Sequence, residues 1–266
     1  MERVISVKIK IIMFELLSSA FHEVLYRPLF NSLVLLYDII PGHDLGVAII
    51  ILTFLVRFAL YSSSKKAIKS QKELQELQPK LKEIQDKYKD NKEKQAQALM
   101  EFYRKNKVNP LSGCLPLLVQ MPILIALYHV FIAGFDDSTL NVLYSFVHNP
   151  GHINSISFGI IDLSQKNIIL ALVAGGLQFV QAKMMMTSKK KAKEKDNNKK
   201  KKGKELSKEE KIQDFSQAMG EQMVYFMPFI TIMFAMSLPS GLALYWITTN
   251  LFAIGQQYLI FKKKNV

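Results

Sequence analysis

An all-α, polytopic membrane protein is predicted by three observations. Five apolar runs have spanning character, lysines and arginines crowd into alternate connecting segments, and an amphipathic repeat fills the first of those segments. The 266 residues are 49% hydrophobic, a fraction that soluble domains also reach, so distribution decides the class rather than the total. The runs are Leu45–Tyr61, Leu115–Ala133, Ile168–Met186, Met223–Leu238 and Leu242–Phe261. Several are shorter than the ~20 residues that cross a ~30 Å hydrocarbon core, which implies local bilayer thinning. The expected architecture is a five-span helical bundle with a cytoplasmic helical hairpin and an N-terminal interfacial helix.

Residues 1–21 combine a basic Met1–Lys10 with an apolar Ile11–Ala20 and loosely resemble a signal peptide. Glu15 interrupts the apolar stretch, and no A-x-A-like site follows. The only cysteine, Cys114, supports neither a lipoprotein signal nor an intrachain disulfide, and it weakens any zinc-site reading. Residues 22–44 are expected to form an interfacial helix on the outer leaflet. Over Pro28–Ile40, Asn31, Leu35 and Asp38 share one face, while Leu29, Phe30, Leu33, Leu36, Tyr37 and Ile40 lie elsewhere. A sixth span is the alternative there.

The first span, 45–62, contains Arg57. A guanidinium stays ionised when buried and cannot escape by neutralising. Its placement in lipid costs roughly 2.5–3.5 kcal/mol on insertion scales. No other apolar run offers an acidic partner. Lys65, the next cation, lies ~12 Å further along a helix, which is too far for simple snorkelling. Arg57 is therefore expected to face a water-filled recess and to receive its counter-ion from a bound partner.

Residues 63–110 read as a helical hairpin. Leu74, Leu77, Leu81, Ile84 and Tyr88 recur at intervals of three and four, Lys89–Lys92 supplies a polar turn, and Ala96, Leu99, Met100 and Tyr103 form a second stripe. Pro79 should kink the first arm or start a new helix. The hairpin is either a docking platform, with Leu77, Leu81 and Ile84 at its seam, or a solvated spacer that caps the bundle.

The second span, 111–133, opens with Pro110, Pro116 and Pro122 inside fourteen residues, Asn109–Pro122. The 134–167 segment is an outer loop whose one basic residue is Lys166, and its His148 and His152 make no convincing ligand pair. A third span, 168–187, leads into a lysine-rich loop, 188–221. The ten lysines of Lys189–Lys204 interrupt almost nothing hydrophobic and predict disorder, with attraction for anionic lipid or ribosomal RNA as a further expectation. The last two spans, 222–238 and 239–261, are joined by a tight turn at Leu238–Gly241, before a tail at 262–266. Tyr245, Trp246, Thr248, Thr249 and Asn250 bring polar groups into the final span.

Of 35 basic residues, 13 lie in Lys65–Lys107, 13 in Lys183–Lys211 and three in Lys262–Lys264. With five spans these segments share one side, which the positive-inside bias makes cytoplasmic. The N-terminus is then outside and the C-terminus cytoplasmic.

Three stretches closely resemble the YidC membrane-insertase family, of the short bacterial type related to the mitochondrial and thylakoid insertases. They are Thr53–Arg57 (TFLVR), Asn109–Tyr128 (NPLSGCLPLLVQMPILIALY) and Phe226–Asn250 (FMPFITIMFAMSLPSGLALYWITTN). The resemblance covers nearly everything from about Leu25 to Lys262, and the three pieces with a hairpin between them are specific together. It implies five core helices around a hydrophilic, positively charged groove, open to the cytoplasm and to lipid but closed to the outside. It implies a non-enzymatic insertase and chaperone of the bacterial plasma membrane, without cofactor or metal. Its partners would be nascent membrane-protein clients and lipid, then the Sec translocon, the signal recognition particle receptor and the ribosome, but not DNA.

On that likeness Arg57 is the groove arginine, with Thr53 on the same helix face. Gln120 and Asn250 match polar groove positions, and Trp246 matches an aromatic one that lines the groove or packs in an interface. Gln178 and Gln181 lie three apart with the register between them open. For each of these, an interhelical hydrogen bond is the alternative role. Against the family pattern, the Lys189–Lys204 insertion is long, and the expectation is of no long basic extension after Val266 and no large outer domain before the first span. Two other classes remain open at this point: a small-anion transporter using Arg57, and an assembly subunit whose partner permanently neutralises it.

Overall fold

A computed structural model describes residues 12–13, 15–16, 18–109, 115–133, 142–193 and 226–262. The described residues are mostly helical. After a π-helical turn at His22–Tyr26 come α1 (Arg27–Ile39), α2 (Leu45–Ala59), α3 (Tyr61–Lys87), α4 (Lys92–Lys105) and α5 (Leu115–Ala133). Two short antiparallel strands follow, β1 (Ile156–Ser157) and β2 (Ile161–Asp162), with Ile156 opposite Asp162 and Ser157 opposite Ile161. The remainder is α6 (Ile168–Lys193), α7 (Phe226–Ser237) and α8 (Ser240–Lys262). Each of the five apolar runs is mostly helical where it is described, but the first is interrupted by a turn at Leu60, and Leu238 lies beyond the end of α7. Ile168–Met185 is long and apolar enough to cross a membrane, and Gln120–Ile132 and Phe226–Ser237 are shorter apolar helices.

The chain divides into two compact units. One comprises Met1–Val56, Leu117–Ala174 and Met233–Thr249; the other comprises Arg57–Pro116, Gly175–Ile232 and Asn250–Val266. The first unit has its core at Phe30, Leu33, Val34, Leu45, Ile49, Val130, Leu163 and Leu242, all at most 2% exposed. Close approach is enforced by Gly241, where a Cβ would meet Phe131 Cε1 at 2.4 Å. In the second unit Gly175 has the same role, since a Cβ there would meet Ile232 Cγ1 at 2.2 Å.

Three local expectations need correction. Asn31 does not lie on a wet face of α1: it is buried, donating to Arg27 O (2.8 Å) and Val142 O (3.2 Å) and accepting from Tyr144 N (2.6 Å). A buried amide is tolerated when its donors and acceptor are filled, and here a distant loop fills them. Pro79 does not start a new helix, because α3 runs through it from Tyr61 to Lys87. In the second arm Ala96 and Met100 are exposed, and Gln95, Ala98, Leu99, Phe102 and Tyr103 are half-buried. Leu99 and Tyr103 thus keep their expected side while Ala96 and Met100 do not, and Gln95 reaches back to Gln85 O (2.8 Å).

The turn falls as expected, with Asn91 as N-cap of α4 accepting from Lys94 N (3.0 Å). The lysine-rich segment begins as helix rather than as disordered chain. α6 continues through Lys193, with no Pro or Gly to stop it after Met186; the rest of that segment lies outside the described residues, as do Pro110 and Cys114.

Candidate functional site

Arg57 sits in the last turn of α2, half-buried, in a helix whose other fourteen residues carry no charge. Thr53, one turn earlier, is 2% exposed, and its hydroxyl donates to Ile49 O at 2.6 Å. Such back-bonding satisfies a threonine inside an apolar helix without water. Thr53 lines a narrow cavity of about 10 Å³ with Leu29, Ile49, Leu52, Val56, Ile123, Leu127 and Tyr245. That is room for about one water molecule between mostly aliphatic walls. Thr53 therefore does not present its hydroxyl to solvent.

Gln120 on α5 donates to Tyr245 Oη on α8 at 2.5 Å, the interhelical bond foreseen as its alternative role. Trp246 packs with Leu170 against the buried alanines Ala171, Ala235 and Ala243, which is the packed-interface reading of that indole. These residues and Thr53 belong to the first unit. Arg57, Gln178, Gln181 and Asn250 belong to the second. There Gln178 and Gln181 are both half-buried on α6, and Asn250 is 5% exposed on α8. At the hairpin seam Leu81 is the most enclosed residue, at 9% exposure, with Leu77 and Ile84 half-buried on either side.

Sequence reasoning missed two polar knots. In the second unit, Ser64 Oγ donates to Gln256 Oε1 (2.9 Å) while Gln256 Nε2 donates to Tyr61 O (3.3 Å). Beside it in sequence, Gln257 is 3% exposed, and its Oε1 has no hydrogen-bond partner among the described residues. The signal was two adjacent glutamines inside the last apolar run.

The other knot, in the first unit, joins the start of α2 to the β-hairpin. Asp44 caps α2 by accepting from Gly46 N (2.8 Å) and Val47 N (3.1 Å). The same carboxylate accepts from Phe158 N (2.6 Å) and from the Ser157 hydroxyl, and Gly46 N also donates to Ser157 Oγ (2.9 Å). Burial alone would raise the Asp44 pKa, but these donors outweigh it and hold the carboxyl below its ordinary range. The hairpin also caps α8: Ser240 N donates to Gln165 O (2.8 Å), Gly241 N to Leu163 O (3.0 Å), and Ser240 Oγ to Asp162 O (2.9 Å). Asn154 N donates to Tyr37 Oη of α1 at 3.0 Å. One short hairpin thus ties together α1, α2 and α8.

Apolar helices that expose large side chains, such as Ile169 and Leu172 on α6 and Phe229 and Phe234 on α7, belong to the class of helical membrane proteins. The comparisons agree with that class. The family model described as 60Kd inner membrane protein matches residues 35–266. The chain is 34% identical over 220 residues to the membrane protein insertase YidC of Fusobacterium nucleatum, covering 83% of this chain and 87% of that protein. It is 33% identical over 236 residues to the membrane protein insertase YidC 2 of Bacillus anthracis, covering 86% and 77%. With the YidC insertase of Vibrio cholerae the identity is 36% over 220 residues, but the match spans only 33% of that longer relative. The chain belongs to the YidC membrane protein insertase family.

Proposed function

We propose that this protein inserts nascent membrane proteins into the bacterial plasma membrane and assists their folding. The observation that carries this reading is Arg57, a permanent cation in an apolar helix of a YidC-family chain. In this reading α2, α5, α6, α7 and α8 cross the bilayer with the N-terminus outside. The α3–α4 hairpin and the lysine-rich segment then lie in the cytoplasm. Support comes from the helices that fill most of the described part of each apolar run and from the distribution of lysines among alternate segments.

The mechanism follows from charge. A client's hydrophilic, acidic segment moves toward Arg57, where the low effective dielectric strengthens attraction relative to water. Its apolar helix slides sideways into lipid as the segment crosses. Hydration of the groove keeps the encounter reversible, so no covalent step or nucleotide is needed. In this reading Arg57 lines the groove together with Gln178, Gln181 and Asn250 of the same unit, and the hairpin seam at Leu77, Leu81 and Ile84 would hold a docking surface. Clients, the Sec translocon, the signal recognition particle receptor and the ribosome are the partners this reading implies.

Reconstitution into protein-free liposomes tests it. Protease-protected insertion of a client with a short acidic outer segment is the expected result. Solute flux without insertion would point to transport, and neither activity would point to an assembly subunit.

A further inference from the structure

We propose that the tip of the β1–β2 hairpin, Phe158–Gly159–Ile160, is a membrane anchor that dips into the outer-leaflet interface of the bilayer. This rests on the orientation proposed above, in which the first turns of α2 and α8 face outward. The body of the hairpin is held at that level by the Asp44 and Ser240 hydrogen bonds, and its inward residues Ser157 and Leu163 are fully buried. The tip is the reverse. Ile160 is 84% exposed and Phe158 46%, and a Cβ placed on Gly159 would meet nothing within 4 Å.

Backbone and composition agree on an outward task. Phe158 adopts φ 52° and Gly159 φ 71°. That left-handed region suits glycine or asparagine and disfavours a bulky side chain. A turn chosen for the fold alone would carry a small polar residue there, yet this one carries an exposed aromatic followed by an exposed isoleucine. The Phe158 amide is itself bonded to the Asp44 carboxylate that starts α2, so the tip begins at the level where the apolar helix begins. The projecting Ile160, with the half-exposed Phe158 ring whose Cε2 edge lies against Gly46, matches the chemistry of the headgroup–acyl boundary, where apolar faces bury to ~5–10 Å. The occupant of this surface is therefore lipid.

Environment-sensitive fluorophores on single cysteines, in a Cys114→Ser background reconstituted into phosphatidylcholine–phosphatidylglycerol vesicles, test the anchor. The Ile160→Cys label should be blue-shifted and quenched about twofold more by lipid spin-labelled near the headgroup than by lipid labelled near the chain end, as its shallow depth requires. The Ser164→Cys label, exposed on the same loop, should behave as in water. A label at Leu172→Cys on α6 reports the spanning reading separately and should be quenched most by the deep lipid. Quenching at Leu172 with none at Ile160 overturns the anchor alone, and quenching at neither overturns both readings. A blue-shifted Ile160 label that no lipid quenches means that protein covers the tip, which also overturns the anchor. Phe158→Asn should weaken shallow quenching at Ile160; unchanged quenching would count against the proposal.

Discussion

Asp44 and Gly46 show how two small residues at a helix start decide whether a distant loop docks. A methyl at Gly46 would come within 2.1 Å of Ser157 Oγ and 2.9 Å of Phe158 Cε2. Gly46→Ala is therefore expected to cost about 1–3 kcal/mol, read as a fall in melting temperature in detergent. The Asp44 carboxyl has a lowered folded-state pKa, so its stabilisation is complete above the unfolded value of ~4 and is lost as pH falls through the folded value. Melting temperature should drop over that acidic window, and the drop should be shallower in Asp44→Asn.

Arg57 is a residue of another kind, because its expected contribution is to clients rather than to the fold. Arg57→Ala should leave the helical content unchanged but slow insertion of an acidic-tailed client about tenfold, equivalent to ~1.4 kcal/mol. Arg57→Lys should retain part of the rate, since the cation remains though the planar fork is lost. Equal insertion by wild type and Arg57→Ala would remove the residue from the mechanism. A lone arginine in an apolar run singled the residue out in the sequence, and the structure places it in the last turn of α2. The burial of Thr53 was not legible, because spacing fixes which face a residue shares but not what packs against that face.

At the scale of elements, the hairpin separates what periodicity can and cannot foretell. The three–four alternation located α3, the turn near Asn91 and the enclosure of Leu81. It placed Leu99 and Tyr103 on the enclosed side of α4 but not Ala96 and Met100, the latter 67% exposed, while Gln95, outside the stripe, bonds back to Gln85 O. Leu81→Asp should accordingly unfold the hairpin, with a cost of about 2 kcal/mol or more from desolvating a carboxylate without a partner. Met100→Asp should be nearly silent. Limited proteolysis reports the hairpin directly, and client insertion at low salt reports its use. If Leu81→Asp opens the hairpin yet inserts clients normally, the element is a spacer. The β-hairpin escaped sequence reading altogether, since strands of two residues give no alternating pattern and their partners are remote helix ends.

For the whole molecule, charge distribution was the most legible property and tertiary polar contacts the least. A count of lysines per segment predicts an orientation before any coordinate is known, whereas the partner of Asn31 lies 111 residues away at Val142. The lysine-rich segment should act as a field rather than a motif. Shuffling 189–204 should leave binding to anionic vesicles unchanged, while replacing its lysines by glutamine should weaken it. The wild-type affinity should fall steeply between low and physiological salt. A sequence-sensitive, salt-resistant interaction measured by vesicle flotation would contradict this.

The hairpin that joins three helix ends also sets an order of assembly during synthesis. Its tie to Asp44 closes a separation of 113 residues, and its tie to Ser240 closes a further 78. At ~5–20 residues per second, the ribosome takes roughly 4–16 s to make that second stretch. Throughout that interval the Leu163 and Gln165 carbonyls await the first turn of α8, and Leu163 lacks the partners that later bury it. A growing chain can therefore close the α2 end of this knot before the α8 end exists, and never in the reverse order.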